Sequence, residues 1–134
     1  MIGLVLEGNV PSKKNSRART RSGASIPNKR FVQWQESALW QVRAQTRQRF
    51  LMPVQVDAII YFGTHVRADV DNRLTSILDM LVEGVVLPDD AYQNVVSGRA
   101  IGVYRKGEPG AFVRIKEIDQ AELEKEIEQI INLS

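Results

Sequence analysis

The segment "VQVDAIIYF", residues 54–62, constrains the fold more than any other stretch of the chain. Successive side chains of a β-strand point to opposite faces. Val54, Val56, Ala58, Ile60 and Phe62 therefore share one wholly apolar face, while Gln55 and Asp57 lie on the other. A sheet built on this strand is covered fully on one side only, which points to a two-layer domain.

The helices that could cover it are legible from period 3.6. Over residues 31–50, Phe31, Trp34, Ala38 and Val42 form one stripe. Trp40 lies about 240° around the helix from Trp34 and falls outside that stripe, so it packs under a loop or meets another subunit. Arg43, Arg47 and Arg49 suit the negative C-terminal end of this helix, with no nucleic acid needed to explain them. Over residues 72–83, Leu74, Ile77, Leu78, Leu81 and Val82 recur on one face, and Gly84 is a natural stop. Asp119 and Glu122 form a capping pattern before a third helix, 120–132, with Leu123, Ile127, Ile130 and Ile131 expected inward. Residues 2–7 read as a first strand, and 95–105 and 111–117 as two more around the turn "KGEPG". The expectation is a small mixed α/β (α+β) domain spanning 1–134, with about four strands in a mixed sheet and about three helices.

Composition removes several chemistries. There is no cysteine, and His65 is the single histidine, so thiolate and His-rich zinc sites are excluded. No apolar run approaches the ~18 residues of a membrane span, and the N-terminus lacks the basic flank of a signal peptide. A cytoplasmic protein is expected. The charges are unevenly spread. Residues 1–50 carry ten Lys and Arg against Glu7 and Glu36, a net of +8, and the remainder carries eight against fourteen acids, a net of −6. That asymmetry fits a polyanion-binding surface beside a group of working carboxylates, or equally two solvated faces that neutralise each other. Much of the basic excess lies in residues 8–30, "GNVPSKKNSRARTRSGASIPNKR", which has no apolar periodicity and reads as a long exposed, mobile loop.

The acids gather in "RADVDNRLTSILDMLVEGVVLPDDAYQN", residues 67–94. In an extended segment Asp69 and Asp71 point to the same side, and their mutual repulsion is relieved by a cation. Hard divalent cations such as Mg²⁺ take oxygen ligands. Asp89 and Asp90 follow the helix and join the pair only if 85–88 returns along the helix or sheet edge. The plain alternative is a turn followed by an N-cap, with Asp71 accepting the backbone N–H bonds, and a second turn at Asp89/Asp90. An EF-hand loop starting at Asp69 fails, because its sixth and twelfth positions are Leu74 and Met80. A phosphatase-type aspartyl nucleophile fails because Arg73 stands where Thr or Val is needed.

"DVDN", the "LD" at 78–79, "PDDAYQN" and the early "PSKKN" at 11–15, in this order and spacing, resemble the RusA family of Holliday-junction resolvases. The resemblance runs over nearly the whole chain. It implies a small mixed α/β homodimer. It also implies an Mg²⁺-dependent endodeoxyribonuclease, with Mn²⁺ able to substitute, that makes paired symmetric nicks in four-way DNA junctions during recombination and repair. Carried over by motif position, Asp69, Asp71 and Asp90 are the catalytic metal ligands, Asp89 is a further acid beside them, and Asn72 orients the loop. Lys13, Lys14, Arg17, Arg19, Arg21 and Arg73 are the expected DNA contacts. One position departs from the pattern: Thr75 stands where the family carries Lys. That leaves two other readings, a junction-binding protein with impaired catalysis and a basic nucleic-acid-binding module whose acids are caps and turns. His65 is left out of the site.

Overall fold

The computed structural model describes residues 1–12, 17–19 and 25–132, with backbone only for 17–19 and 25–27. In chain order the elements are β1 (Ile2–Glu7), β2 (Arg17–Arg19), β3 (Ser25–Pro27), α1 (Lys29–Gln45), β4 (Val54–Phe62), α2 (Val70–Glu83), β5 (Val95–Tyr104), β6 (Gly110–Glu117) and α3 (Gln120–Ile131). A four-stranded mixed sheet runs β1-β6-β4-β5, and β2 and β3 pair separately. The expected mixed α/β class, with three helices on a four-stranded sheet, is what the chain forms. No described helix is long and apolar enough to cross a membrane.

β4 is the centre of this arrangement. It pairs antiparallel with β6 on one edge and parallel with β5 on the other. Its apolar face is sealed, with Val54, Val56, Ala58 and Ile60 all buried. Trp34, Ala38 and Val42 of α1, and Ile77, Met80 and Leu81 of α2, cover it in one cluster with Leu4, Leu6, Val113 and Ile115. The apolar stripe read from the sequence for α1 is the one that packs. On α2, Ile77 and Leu81 are buried as read, Ser76 and Met80 are buried beside them, and Leu74, Leu78 and Val82 are partly buried at the margin.

Three expectations need correction. The strands 95–105 and 111–117 do not pair with each other, since β4 lies between them. Parallel pairing with β4 places β5 on its far edge, and residues 105–109 cross the end of β4, where Arg105 N–H donates to Phe62 O and Gly107 N–H to Gly63 O. The 8–30 stretch is not loop throughout: Val10 is buried in the core, β2 and β3 form a short ladder, and α1 starts at Lys29. α3 forms, with Asp119 capping it through the Glu122 N–H, but its stripe is not inward. Leu123 is half-buried, whereas Ile127, Ile130 and Ile131 are exposed, because α3 meets the face of the sheet opposite α1 and α2 through Glu122 and its neighbours, with Glu122 paired to Lys116 beside buried Gln55.

α2 ends where expected, with Gly84 as its C-cap. Val86 N–H donates to Leu81 O and Val85 N–H to Val82 O, the bond pattern of a Schellman turn. The left-handed residue is Val85, at φ +60°, and not Gly84, at φ −78°. Gly84 serves a different need: a Cβ there would stand 2.7 Å from Leu39 Cδ2 of α1. A β-branched residue in the left-handed region is strained.

The other face of the sheet is open except at the Gln55 end, where α3 lies against it. Val5, Ile101 and Phe112 are exposed on it, around Asp57. Asp57 accepts from Arg99 Nε at 2.7 Å and from Arg114 Nη2 at 2.8 Å, two cross-strand ion pairs. Burial pushes the Asp57 carboxyl up, but the two guanidinium bonds and their charges outweigh it and hold it below the usual value.

Two outcomes follow for stability. Val85→Gly should raise stability by about 1 kcal/mol, the left-handed strain relieved less the greater chain entropy of glycine. In a thermal melt this is a Tm higher by about 4 °C, and a lower Tm would mean that the Val85 side chain contributes more by packing than it costs in strain. The Asp57 contribution is fully present above the ordinary Asp value of about 3.9 and is lost as pH falls through its depressed folded value. Asp57→Asn should therefore be less stable than the parent at pH 7, and the gap should close only well below pH ~4. A gap that closes near neutrality would point to another group.

Candidate functional site

The acid pair is built by the start of α2. Asp69 is the N-cap, with extended φ/ψ of −102° and 119°, and its Oδ1 accepts from Asp71 N–H at 3.1 Å. Its Oδ2 accepts from Asn72 Nδ2 at 2.7 Å. Arg73 Nη1 donates to the Asp69 backbone oxygen at 2.9 Å, and its guanidinium carbon lies 5.5 Å from the centre of the Phe62 ring. Asp69 is thus held by three successive residues of the motif. Because α2 already begins at Val70, the two acids are not neighbours on an extended strand: they stand at the cap and in the first helical turn. Both are exposed, at a helix N-terminus that favours negative charge.

Each Asp69 oxygen accepts one of these bonds, and a carboxylate oxygen has room for more than one partner. The capping role therefore leaves both oxygens able to take a further partner. Asp71 opens onto the uncovered sheet face, where it lines a hollow of about 720 Å³ with Asp57, Arg99, Ile101, Phe112 and Arg114. Thr75 Oγ1 donates to Asp71 O at 3.1 Å, so its hydroxyl is engaged with the helix backbone.

Asp89 and Asp90 sit elsewhere. Asp90 lines a hollow of about 300 Å³ with Asp79, Val82, Glu83, Phe31 and Gln35, at the C-terminal end of α2. The helix between the two acid pairs is about 20 Å long. Within one chain the structure brings Asp69 and Asp71 together and does not bring Asp90 to them. Among the described residues, no three acidic or histidine side chains gather closely enough to hold a metal ion. Asp89 braces its own turn: its Oδ1 accepts from Asn94 Nδ2 at 2.7 Å and from Ala91 N–H at 2.9 Å, which hold its carboxyl below the usual value.

Of the expected DNA contacts, Lys13, Lys14 and Arg21 lie outside the described residues, and for Arg17 and Arg19 only the β2 backbone is described. Arg73 is placed, beside the acids. His65 stacks on Tyr104 at 3.6 Å between ring centroids, next to the loop that leads to Asp69. The sequence offered no sign of that stack, since its two rings are 39 residues apart and meet only where β5 ends beside the 63–69 loop.

A strand–helix–strand unit with an acid pair at the helix N-terminus, on a one-sided mixed sheet, defines a small α/β domain with its polar site beyond the carboxyl end of β4. The family model described as Endodeoxyribonuclease RusA matches residues 7–116. The chain belongs to the RusA family. It is also similar to the crossover junction endodeoxyribonuclease RusA of Aquifex aeolicus (strain VF5), at 23% identity over 116 residues, which are 86% of this chain and 90% of that protein.

The capping role predicts a separation of effects. Asp69→Ala should cost about 1 kcal/mol of stability, through loss of the N-cap. Asp69→Asn keeps an acceptor for the Asp71 N–H and should melt close to the parent. Equal destabilisation by both variants in denaturant titration would show that the charge, and not the cap, is what Asp69 contributes to the fold.

Proposed function

We propose that the chain is a single nuclease domain, acting as a homodimer in the cytoplasm, that cuts four-way DNA junctions by paired nicks in recombination and repair. The observation that carries this reading is the exposed Asp69/Asp71 pair at the start of α2, braced by Asn72 and Arg73, in a chain of the RusA family. Mg²⁺, or Mn²⁺ in its place, would supply an activated water and neutralise charge on the phosphoryl oxygens. A two-carboxylate site suits Mg²⁺, which binds through one or two carboxylates and keeps several waters. Asn72 and Arg73 fix the orientation of Asp69, Asp71 offers a carboxylate on the same helix turn, and Arg73 adds a positive charge beside them.

Asp90 is proposed as the third acid. Its place at the far end of α2 means that it reaches the pair only from a second copy of the chain or after a shift on DNA. A second copy has a natural seat on the open sheet face, where Asp71 stands at the edge of exposed Ile101 and Phe112. The apolar Ile127 and Ile130 of α3 extend the exposed surface that such a copy could cover. Lys13, Lys14, Arg17, Arg19 and Arg21 are proposed to hold DNA phosphates, the source of most non-specific affinity.

A second reading, junction binding with impaired catalysis, is favoured by Thr75. Its hydroxyl is engaged and it supplies no positive charge where the family has Lys. One set of assays on a labelled four-way junction separates the readings. The parent should cut only with Mg²⁺, whereas Asp69→Asn, Asp71→Asn and Asp90→Asn should bind without cutting, with rates lower by roughly 10²-fold or more. Binding with no Mg²⁺-dependent cutting by the parent would establish the second reading. Mixing Asp71→Asn with Asp90→Asn protein locates the third acid: restored cutting places it in trans, and its absence places it in cis. Light scattering at micromolar concentration should report about twice the chain mass.

A further inference from the structure

A cleft of about 910 Å³ lies beside the acid pair, between the turn that follows β1, the first half of α1 and Arg73 of α2. Two N–H donors on its lining have no acceptor among the described residues: Trp34 Nε1 and Arg73 Nε. Trp34 is 8% exposed, and both nitrogens are buried without an acceptor among the described residues. Buried donors without partners are rare because each one forfeits its hydration. Two on the lining of one cleft indicate that something carrying acceptors belongs there.

The charges say what kind. Arg30 and Arg73 line the cleft with Glu7 as its one acid, and the N-terminal end of the 17-residue α1 lies on its rim at Asn28. Two guanidinium groups and a helix N-terminus favour an anion with several oxygens. Arg73 also ties the cleft to the acids, since its Nη1 holds the Asp69 backbone oxygen while its Nε is left over. Ser76, one turn further along α2, donates to Pro11 O at 2.7 Å and fixes the far wall against the helix.

We propose that this cleft is a pocket for one DNA backbone phosphate, held by Trp34 Nε1, Arg73 and Arg30, on the strand whose cut site is presented to Asp69 and Asp71. The proposal rests on the nuclease reading and adds to it a phosphate contact that no acidic or loop residue supplies. Through Arg73, filling the pocket bears on the orientation of Asp69.

The test uses the full chain and a fluorescent four-way junction in metal-free buffer, so that binding is read without cutting. Trp34→Phe keeps an aromatic ring of smaller size and removes the N–H, and Arg73→Lys keeps the charge and removes Nε with the rest of the guanidinium. Each should weaken binding roughly three- to tenfold, measured well below the melting temperature of both variants, since the smaller ring of Trp34→Phe also lowers stability. Junctions carrying a single neutral methylphosphonate are then scanned position by position. At one position neutralisation should weaken the parent and leave Trp34→Phe unaffected. If the two losses multiply at every position, Trp34 reads no phosphate and the proposal falls. A ¹⁵N spectrum adds a direct view: the Trp34 indole N–H should move on adding junction, while that of exposed Trp40 stays still. If inorganic phosphate moves Trp34 fully and no position-specific loss exists, the pocket takes a free anion, and its assignment to DNA is overturned. The nuclease reading fails separately. A parent that shows the position-specific loss but never cuts with Mg²⁺ keeps the pocket, whereas variants that bind and cut like a Mg²⁺-dependent parent lose it.

Discussion

The parallel pairing of β4 with β5 governs the rest of the molecule. Parallel neighbours cannot be joined by a tight turn, so the chain must travel back along the strand before it can enter the sheet again. α2 is that return. Its apolar face is set by Ile77, Met80 and Leu81, which are fully buried against the sealed side of the sheet. Its N-terminus consequently stands beyond the carboxyl end of β4, and its C-terminus near the start of β5. The same geometry leaves Asp69 and Asp71 at one end and Asp89 and Asp90 at the other.

The site inherits its order from this crossover. An aspartate at an N-cap is held by the helix that it starts, so Asp69 needs no dedicated scaffold. Asn72 and Arg73 lie within a turn of it and close the remaining freedom, one through the side chain and the other through the backbone oxygen. The stabilising role of the acid pair and the chemical role proposed for it are therefore not rivals. The helix end that favours their charge also leaves carboxylate lone pairs facing outward.

The single-sided sheet is the second structural consequence. α1 and α2 seal the face built from Val54, Val56, Ala58 and Ile60. On the opposite face α3 covers only the end at buried Gln55, where Glu122 pairs with Lys116, and Asp57 stays between Arg99 and Arg114 with apolar residues around them. A charge pair in the middle of a sealed core would be costly to desolvate, and here it stays partly hydrated. The mixed character of this face is what distinguishes it from a second core.

Much of this was legible in the chain because it depends on local periodicity. The two faces of 54–62, the stripe of α1 and the capping residue Asp119 follow from spacing and from short-range hydrogen bonding, whereas α2 is capped by Asp69 and not by Asp71, because the helix starts ahead of its first apolar-periodic residue. The motif order that marks the RusA family is equally a property of sequence. Strand order was not, because "KGEPG" suits a hairpin and only the competition for the edges of β4 separates β5 from β6. The exposure of Ile127 and Ile130 was not, because amphipathic spacing states that a face is apolar and not what lies opposite it. The left-handed turn at Val85 was hidden for a related reason: Gly84 carries the stronger local signal, but the approach of Leu39 uses that glycine for space. The cleft that joins Trp34 to Arg73 and the distance between the two acid pairs are long-range facts. They arise from how α1, α2 and the β1 turn meet, and no spacing within any one of those segments encodes them.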